Sequence, residues 1–509
     1  MIIKIFAIFC ITSYAKAIQP ISEENEYFKI NFVYAINDIN VNSTNSISMD
    51  YSGLNSTTKI NSNENDCKIS PELSDEINKY KSEVEKIIKY VLSGDFKGKT
   101  FDLLAELTDT FGARMTGSKE LESSIEWLKK KSEEENLENV HSEYFKAPHW
   151  VRNNESLYLV RPRRQKMSLL GLGSSVGTPN DGIWAEAFVV TNFQQLEDNP
   201  LKAKGKIVVY NPTWTSYSEM VKYRAHGASK AAKVGAIASL VSSVTPFSIY
   251  SPHTGWQMYD KTIHKIPTAS ITKEDAQMLQ RFQDRGETCI LHLHMGAQNF
   301  PEVTVRNLVS EVTGRDIPEE VVVVSGHLDS WDVGVGAMDD GGGSIISWLA
   351  PVILRKLELK PRRTIRTVLF SGEEQGLHGG KAYFDLHSKS NEKFQILLES
   401  DSGTFNPFGL SFSGNNEAQC LMKEVLSLFD SLNTTKLVMP MEGGPDIIFW
   451  EKAGIPTGAL LNSNDDYFFY HHSEGDTMTV EDRESLDKCT AFWTALAYIL
   501  GEFNVTIPR

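Results

Sequence analysis

Two adjacent glutamates stand where a hydrophobic run of the chain ends. The run TVLFSG is followed directly by Glu373 and Glu374. Just past a strand, neighbouring side chains need not share a face, so one carboxylate can bind a metal while the other reaches the water that the metal activates. On this reasoning we assign Glu374 as a metal ligand and Glu373 as the general base.

Other imidazoles and carboxylates also follow apolar runs. His327 ends VVVVSGH, Asp401 follows FQILLES, and the pair His471 and His472 lies beyond TGALL. Asp339 lies in the glycine-rich stretch GVGAMDDGGGS, just before a helical pattern. The carboxyl ends of parallel strands open on one crevice, so we expect these groups to converge there.

A site that has nitrogen and oxygen donors and no thiolates is typical of hard or borderline metal ions. Carboxylates so close together would repel one another, whereas divalent cations would neutralise them. Zinc fits such a donor set best, and cobalt and manganese are open alternatives. Asp329, two residues after His327, is placed to accept the second imidazole N–H and orient the ring.

A parallel sheet between helices is the element that would position these groups. After about residue 303, apolar runs alternate with helical patterns, which predicts an α/β fold with a mostly parallel sheet sandwiched by helices. We assign residues 69–148 and 301–509 to this catalytic domain. Between them, residues 149–300 carry short β-branched runs separated by Gly, Pro and Asn, which predicts an inserted β-rich module.

The N-terminal part of the chain has the features of a secretion signal and a leader. Residues 1–17 open with a lysine at position 4, followed by a short apolar run and an Ala-Lys-Ala pattern, which is typical of a cleaved signal peptide. Residues 18–68 are too polar to offer much core and predict a flexible leader or pro-segment. Five N-x-S/T sequons fit the secretory route; they are Asn42, Asn55, Asn154, Asn433 and Asn504. We expect a glycoprotein that is secreted or reaches the lysosome.

The composition argues against some classes of partner, and it does not determine how the cysteines pair. The 509-residue chain has a net charge of -15, which argues against nucleic acid or an anionic membrane as a partner. After the signal, no stretch is apolar for long enough to cross a bilayer. Cys67, Cys289, Cys420 and Cys489 show no C-x-x-C spacing, so a cysteine-based zinc site is not indicated and disulfide pairing cannot be read from the sequence.

Five motifs in order resemble the co-catalytic zinc aminopeptidase and glutamate carboxypeptidase family of metallopeptidases. They are H-x-D, G-A-x-D-D-G-G-G, S-G-E-E-x-G-L-x-G, E-S-D-x-G and H-S-x-x-D-T, and the resemblance runs from about residue 75 to the C-terminus. It implies two zinc ions per subunit, bridged by Asp339. His327 and Asp401 would complete one shell, and Glu374 and His472 the other.

The resemblance also implies a function. It predicts hydrolysis of dipeptides or short peptides, with Glu373 as the base, in a homodimer whose inserted module is of the protease-associated type. His471 stands where relatives often have a tyrosine that stabilises the oxyanion, so its role is open. Asp446, in GGPDIIFW, is a candidate for contact with the substrate.

Alternative functions are an aminopeptidase of the same family, a serine hydrolase and a non-catalytic, receptor-like relative. Ser175 in GSSVG fits the nucleophile pattern G-x-S-x-G, but the turn TPNDG follows where that motif needs a helix. A receptor-like relative is expected to have lost ligand positions, and here all of them are filled. The sequence does not fix which end of the peptide is recognised.

Overall fold

The computed structural model describes Cys67 and residues 69–509. These residues belong to one compact unit, Glu64–Arg509. The predicted signal peptide, nearly all of the predicted leader and the sequons at Asn42 and Asn55 lie outside the described residues.

The described helices are numbered α1 to α14 in chain order. They are Pro71–Lys79, Lys81–Leu92, Lys99–Phe111, Lys119–Glu134, Phe193–Glu197, Pro200–Ala203, Tyr217–Lys233, Lys273–Asp284, Gly342–Lys356, His378–His387, Asn416–Leu426, Ile448–Lys452, Tyr467–Tyr470 and Arg483–Glu502. Hydroxyl groups cap several N-termini. Ser118 accepts a hydrogen bond from the backbone of Leu121 at the start of α4, and Ser216 does the same for Glu219 at the start of α7.

The described strands are numbered β1 to β16. They are Glu138–Val151, Glu155–Arg161, Gln165–Met167, Leu169–Gly171, Ile183–Val190, Ile207–Tyr210, Ala238–Ser242, Thr268–Ile271, Ile290–Met295, Gln298–Val312, Ile317–His327, Arg363–Phe370, Lys393–Glu399, Pro407–Ser413, Lys436–Val438 and Thr457–Asn462. They form two eight-stranded sheets.

The first sheet has the order β1-β10-β12-β11-β13-β16-β14-β15. Its centre, β12-β11-β13-β16, is parallel, whereas β1-β10-β12 and β16-β14 pair in antiparallel fashion. The predicted α/β class is therefore confirmed, while the sheet is more mixed than predicted. β1 explains part of the difference, because it is buried at only a few positions and antiparallel strands tolerate one face in water.

Helices cover both faces of this central sheet. Val322 and Val324 of β11 pack in the same apolar cluster as Trp493 of α14, whereas Val321 and Val323 pack with Tyr383 of α10 on the opposite side. Successive side chains of a strand point to opposite faces, so a run of valines buries both sides at once. The predicted sandwich of sheet and helices follows from this pattern.

The second sheet has the order β3-β2-β9-β5-β6-β7-β8-β4 and lies entirely between Glu155 and Met295. Its strands β5 to β8 are parallel, and α7 and α8 pack against them. This region therefore contains helices as well as strands. Its assignment to the protease-associated type stays a prediction.

A disulfide between Cys67 and Cys420 joins the segment before α1 to α11. Cys289 and Cys489 are buried and unpaired. Within residues 69–509, no helix combines the length and the apolar character that crossing a bilayer requires.

Candidate active site

The parallel centre of the first sheet brings the predicted site residues to one edge. His327 is the last residue of β11, Asp401 lies two residues beyond β13, and Glu374 lies in the turn after β12. His472 follows α13, which comes after β16. These strands are parallel neighbours, so their carboxyl ends open on the same crevice.

Asp339 lies at the centre of the cluster and faces two imidazoles with its two oxygens. Its Oδ1 is 3.2 Å from Nε2 of His327, and its Oδ2 is 3.3 Å from Nε2 of His472. Asp401 Oδ1 is 3.3 Å from the same nitrogen of His327, and Glu374 Oε2 is 3.0 Å from that of His472. The five predicted ligands thus form two groups that share Asp339.

Backbone carbonyl groups fix the tautomer of both imidazoles. Nδ1 of His327 lies 3.0 Å from the carbonyl oxygen of Asp329, and Nδ1 of His472 lies 3.3 Å from that of Thr254. A carbonyl oxygen can only accept, so each Nδ1 carries a hydrogen, and in the neutral ring each Nε2 presents a lone pair to the carboxylates. This is the arrangement that metal-binding histidines require.

Asp329 orients His327 through its backbone rather than through its side chain. Its Oδ1 is 3.7 Å from Nδ1 of His327, farther than the carbonyl oxygen, and it accepts a hydrogen bond from the backbone N–H of Glu373 at 3.3 Å. Oδ2 accepts from the hydroxyl of Thr116. The carboxylate therefore holds the Glu373–Glu374 turn, a role that the H-x-D spacing did not reveal.

The wide turn Ala337–Gly341 is held in place by two buried charged side chains. Asp476 accepts hydrogen bonds from the backbone N–H groups of Ala337, Met338 and Asp339 at 2.8–3.2 Å. Burial, together with the charge of Asp339, raises the pKa of Asp476 to about 7. Arg114 is fully buried and donates to the carbonyl groups of Leu328, Val335 and Gly336 among others.

Asp340 fixes the start of α9 beside the site. Its carboxylate accepts from the backbone N–H of His327 at 3.0 Å and from that of Gly343 at 3.1 Å. A Cβ at Gly343 would lie 2.0 Å from the carbonyl oxygen of Ser400 and 2.3 Å from Oδ1 of Asp340. The close approach of α9 to the carboxyl end of β13 therefore requires glycine at this position.

His471 also lies beside Asp339, stacked on its neighbour. The two histidine rings are 3.5 Å apart, and Nε2 of His471 is 3.6 Å from Oδ2 of Asp339. Asp339, His471 and His472 each offer an atom within 4.8 Å of the other two, as do His327, Asp339 and Asp401. Burial and the neighbouring His472 hold the pKa of His471 well below its usual value, so its ring is neutral.

The second sheet region supplies the groups that hold the two histidines. Nδ1 of the buried His253 donates to the carbonyl oxygen of His471 at 2.6 Å. The backbone N–H of Thr254 donates to the carbonyl oxygen of His472 at 2.8 Å, while its own carbonyl oxygen accepts from Nδ1 of His472. Thr245 donates to the carbonyl oxygen of Phe468 at 2.6 Å. Sequence reasoning missed these residues because they lie more than 200 positions before the histidines.

Two other predicted candidates are engaged elsewhere. Asp446 is fully buried and accepts from the backbone N–H of Gly380 at 3.0 Å, so it presents no surface to a substrate. Ser175 is also fully buried, and its hydroxyl accepts from the backbone N–H of Thr268 and donates to the carbonyl oxygen of Val176. These backbone contacts do not favour the serine hydrolase alternative.

Burial and the charges of neighbouring groups shift the pKa values of the carboxylates in the cluster. Burial raises the pKa of Glu374 well above its usual range, and the charge of Asp339 adds to the rise. Burial also opposes ionisation of Asp339, but the adjacent imidazoles of His327 and His472 hold its pKa well below that range. In the described chain, Oδ2 of Asp339 and Oε1 of Glu374 are buried without a hydrogen-bond partner. Orphaned carboxylate oxygens beside imidazole lone pairs fit divalent cations.

Known proteins resemble this chain in sequence and in fold. Residues 307–497 match peptidase family M28. Carboxypeptidase Q of Mus musculus is 47% identical over 438 residues, which cover 86% of this chain and 93% of that protein. A peptidase M28 precursor from Shewanella amazonensis has a TM-score of 0.81 at 28% identity and covers 85% of this chain and 99% of its own. The fold of a zinc aminopeptidase from Bacillus subtilis matches with a TM-score of 0.62 at 19% identity over 81% of this chain and 98% of that one.

Proposed function

The chain belongs to peptidase family M28, and on that premise we propose that it is a di-zinc exopeptidase acting on dipeptides or short peptides. The observation that carries the proposal is the position of Asp339, whose two carboxylate oxygens face two different histidines. A carboxylate in that position can bridge two cations. The name of the mouse relative, carboxypeptidase Q, supports activity at the carboxyl end of a peptide.

Each cation has a separate set of proposed ligands. His327, Asp339 and Asp401 would hold one zinc ion, and Asp339, Glu374 and His472 the other. When bound, zinc polarises the peptide carbonyl and lowers the pKa of water to about 7. His327 and His472 are prepared for this role, because a carbonyl group already holds the hydrogen on the far side of each ring.

Glu373 is the proposed general base. It would take a proton from the attacking water and deliver it to the leaving amine as the C–N bond breaks. Burial raises the pKa of Glu373 well above its usual range, which suits a carboxyl group that must both accept and return a proton near neutral pH. Its backbone N–H is held by Asp329, so the turn that carries it is fixed.

Localisation and assembly are part of the same proposal. We propose a glycoprotein that is secreted or lysosomal, with a homodimeric state and an inserted module of the protease-associated type. The sequons Asn154, Asn433 and Asn504 are exposed, which a glycosylation site requires. An aminopeptidase is the second candidate, and the fold shared with the Bacillus subtilis enzyme favours it.

A set of dipeptides with free or blocked ends separates the two candidates. Purified, zinc-loaded protein is expected to hydrolyse dipeptides whose carboxylate is free. A chelator should abolish this activity. A requirement for the free amine with indifference to the carboxylate would instead assign an aminopeptidase. Full activity after chelation would contradict the metallopeptidase proposal.

A further inference from the structure

Arg152 lies where the chain passes from the first sheet to the second. It directly follows β1, and β2 begins shortly after it. Only 8% of its surface is exposed, and its guanidinium carbon lies 5.1 Å from the centre of the Trp150 ring. A buried guanidinium group needs acceptors for its N–H groups, so the partners of Arg152 show which segments of the chain it holds together.

One partner of Arg152 is on the loop that follows the predicted ligand His327. Nε and Nη2 of Arg152 donate to the two carboxylate oxygens of Asp332, at 2.8 Å and 2.6 Å. A pair of parallel bonds of this kind fixes the plane of the guanidinium group as well as its distance. Burial opposes the charge of Arg152, but the charge of Asp332 raises its pKa, so the pair stays ionised.

The other partners of Arg152 belong to the second sheet region. Nη1 donates to the carbonyl oxygen of Gly171, the last residue of β4, and lies 3.6 Å from Oε1 of Glu155. Nη2 lies 3.3 Å from the hydroxyl oxygen of Thr254. That hydroxyl donates to the carbonyl oxygen of Gly171 at 2.9 Å, so Arg152 and Thr254 share one acceptor. Arg152 therefore fixes the side chain of Thr254 relative to the loop that carries Asp332.

Thr254 holds His472 through its backbone. Its N–H donates to the carbonyl oxygen of His472 at 2.8 Å, and its own carbonyl oxygen accepts from Nδ1 of His472 at 3.3 Å. The backbone of His472 has a φ of 58°, in the left-handed region that residues with a side chain seldom adopt. Such a conformation persists only where the surrounding structure holds it. The two contacts from the fully buried Thr254 meet this requirement.

We propose that Arg152 is a positioning residue for His472 and acts on it through Thr254. The inference rests on the proposed function, in which His472 binds one of two zinc ions. His327 is oriented differently, because its Nδ1 donates to the carbonyl oxygen of Asp329. Loss of Arg152 should therefore weaken the zinc ion that His472 binds and spare the one that His327 binds. An arginine that only stabilised the fold would not distinguish between the two.

The test measures the zinc affinity of each site in the full-length protein. Apo wild-type and Arg152→Met proteins are titrated with zinc. The affinity of one site should fall about 10-fold, the lower cost of losing an outer-sphere partner, while that of the other stays the same. In a His472→Ala background, Arg152→Met should cause no further loss, because both substitutions act on one site. Equal losses at both sites, or an added loss in that background, would overturn the inference. If the wild-type protein binds no zinc, the proposed function itself fails.

Arg306→Met is the matched control for the loss of a buried arginine. Arg306 has the same 8% exposure as Arg152, but it pairs with Glu122 away from the site. The substitution should lower the melting temperature and leave both zinc affinities unchanged. A loss of zinc affinity equal to that of Arg152→Met would show that reduced stability alone explains the effect, and the inference would then be wrong.

A milder variant covers the case in which Arg152→Met fails to fold. Thr254→Val removes the hydroxyl that contacts Arg152 and keeps both backbone bonds to His472. It should weaken the same zinc site about 5-fold, as expected for one hydrogen bond. Thr254→Ser keeps the hydroxyl and should match the wild-type protein. An unchanged affinity in Thr254→Val, or in a folded Arg152→Met protein, would overturn the inference.

Discussion

The two sheets of the described chain contribute different chemistry to one site. The first sheet provides the acids and both imidazoles of the proposed ligand set, gathered at the ends of parallel strands. The second sheet region provides an imidazole N–H from His253 and a backbone carbonyl oxygen from Thr254, and burial lowers the pKa of His253 to about 4. Ligation and orientation are therefore separated between two parts of the chain.

His472 shows what this separation achieves. Its Nε2 lies 3.0 Å from Glu374 on the first sheet, while its Nδ1 lies 3.3 Å from the carbonyl oxygen of Thr254 in the second sheet region. A carboxylate or a carbonyl oxygen can hold the second N–H of a metal-binding imidazole, and for His472 the acceptor is a carbonyl oxygen. This carbonyl acceptor from another part of the chain keeps the hydrogen on Nδ1, as the required tautomer needs, while burial holds the pKa of His472 below its usual value.

The largest effect is expected for Glu373→Gln on the first sheet side. The amide is nearly isosteric but cannot take up the proton, so peptidase activity should fall about 1,000-fold. Zinc content, measured by elemental analysis, should not change. Loss of zinc together with activity would show that Glu373 is a metal ligand and not the general base.

His471 and His472 contact both the first sheet residues and the second sheet region, and replacing each in turn tests which of them binds zinc. His472→Ala should weaken zinc binding by more than about 100-fold, the upper cost of losing an outer-sphere partner. His471→Ala should weaken it much less, because His471 lies farther from Asp339 and has no contact of this kind with Glu374. Zinc titration of both apo proteins checks the order, and the reverse order would exchange the two assignments.

His253 tests whether the second sheet region orients the histidines. His253→Leu removes the N–H that is bonded to the carbonyl oxygen of His471 and should weaken zinc affinity about 10-fold. His253→Asn is the matched control, since its amide N–H can occupy the place of Nδ1 and should restore most of the affinity. Equal zinc affinity in the wild-type and leucine proteins would show that ligation does not depend on this contact.

The smallest effect is expected for Thr245→Val, farther along the same loop. The variant loses the hydroxyl that donates to the carbonyl oxygen of Phe468. It should lower the free energy of unfolding by about 1 kcal/mol. Thr245→Ser keeps the hydroxyl and should remain close to wild type in thermal denaturation. A large loss of peptidase activity in Thr245→Val would extend the orienting role to this residue.

The convergence of the first sheet residues could be predicted from the sequence. Parallel strands end at one edge, so a histidine after VVVVSG and an aspartate after FQILLES must lie close together. The pairing of Cys67 with Cys420 could not be predicted, since spacing alone does not determine connectivity.

The sequence gives little indication of the groups that orient the site. His253 and Thr254 act on His471 and His472 across 218 positions, through backbone carbonyl groups that any residue provides. Arg114 is different, because an arginine within the largely apolar stretch TFGARM was a visible sign of a buried charge. Contacts made by the backbone, unlike motifs of side chains, appear only once the fold is known.

Anomalous X-ray scattering at the zinc edge, from crystals grown with zinc, tests the central claim most directly. The account predicts two peaks, one bound by His327, Asp339 and Asp401 and the other by Asp339, Glu374 and His472. A single peak, or two peaks that do not share Asp339, would contradict it.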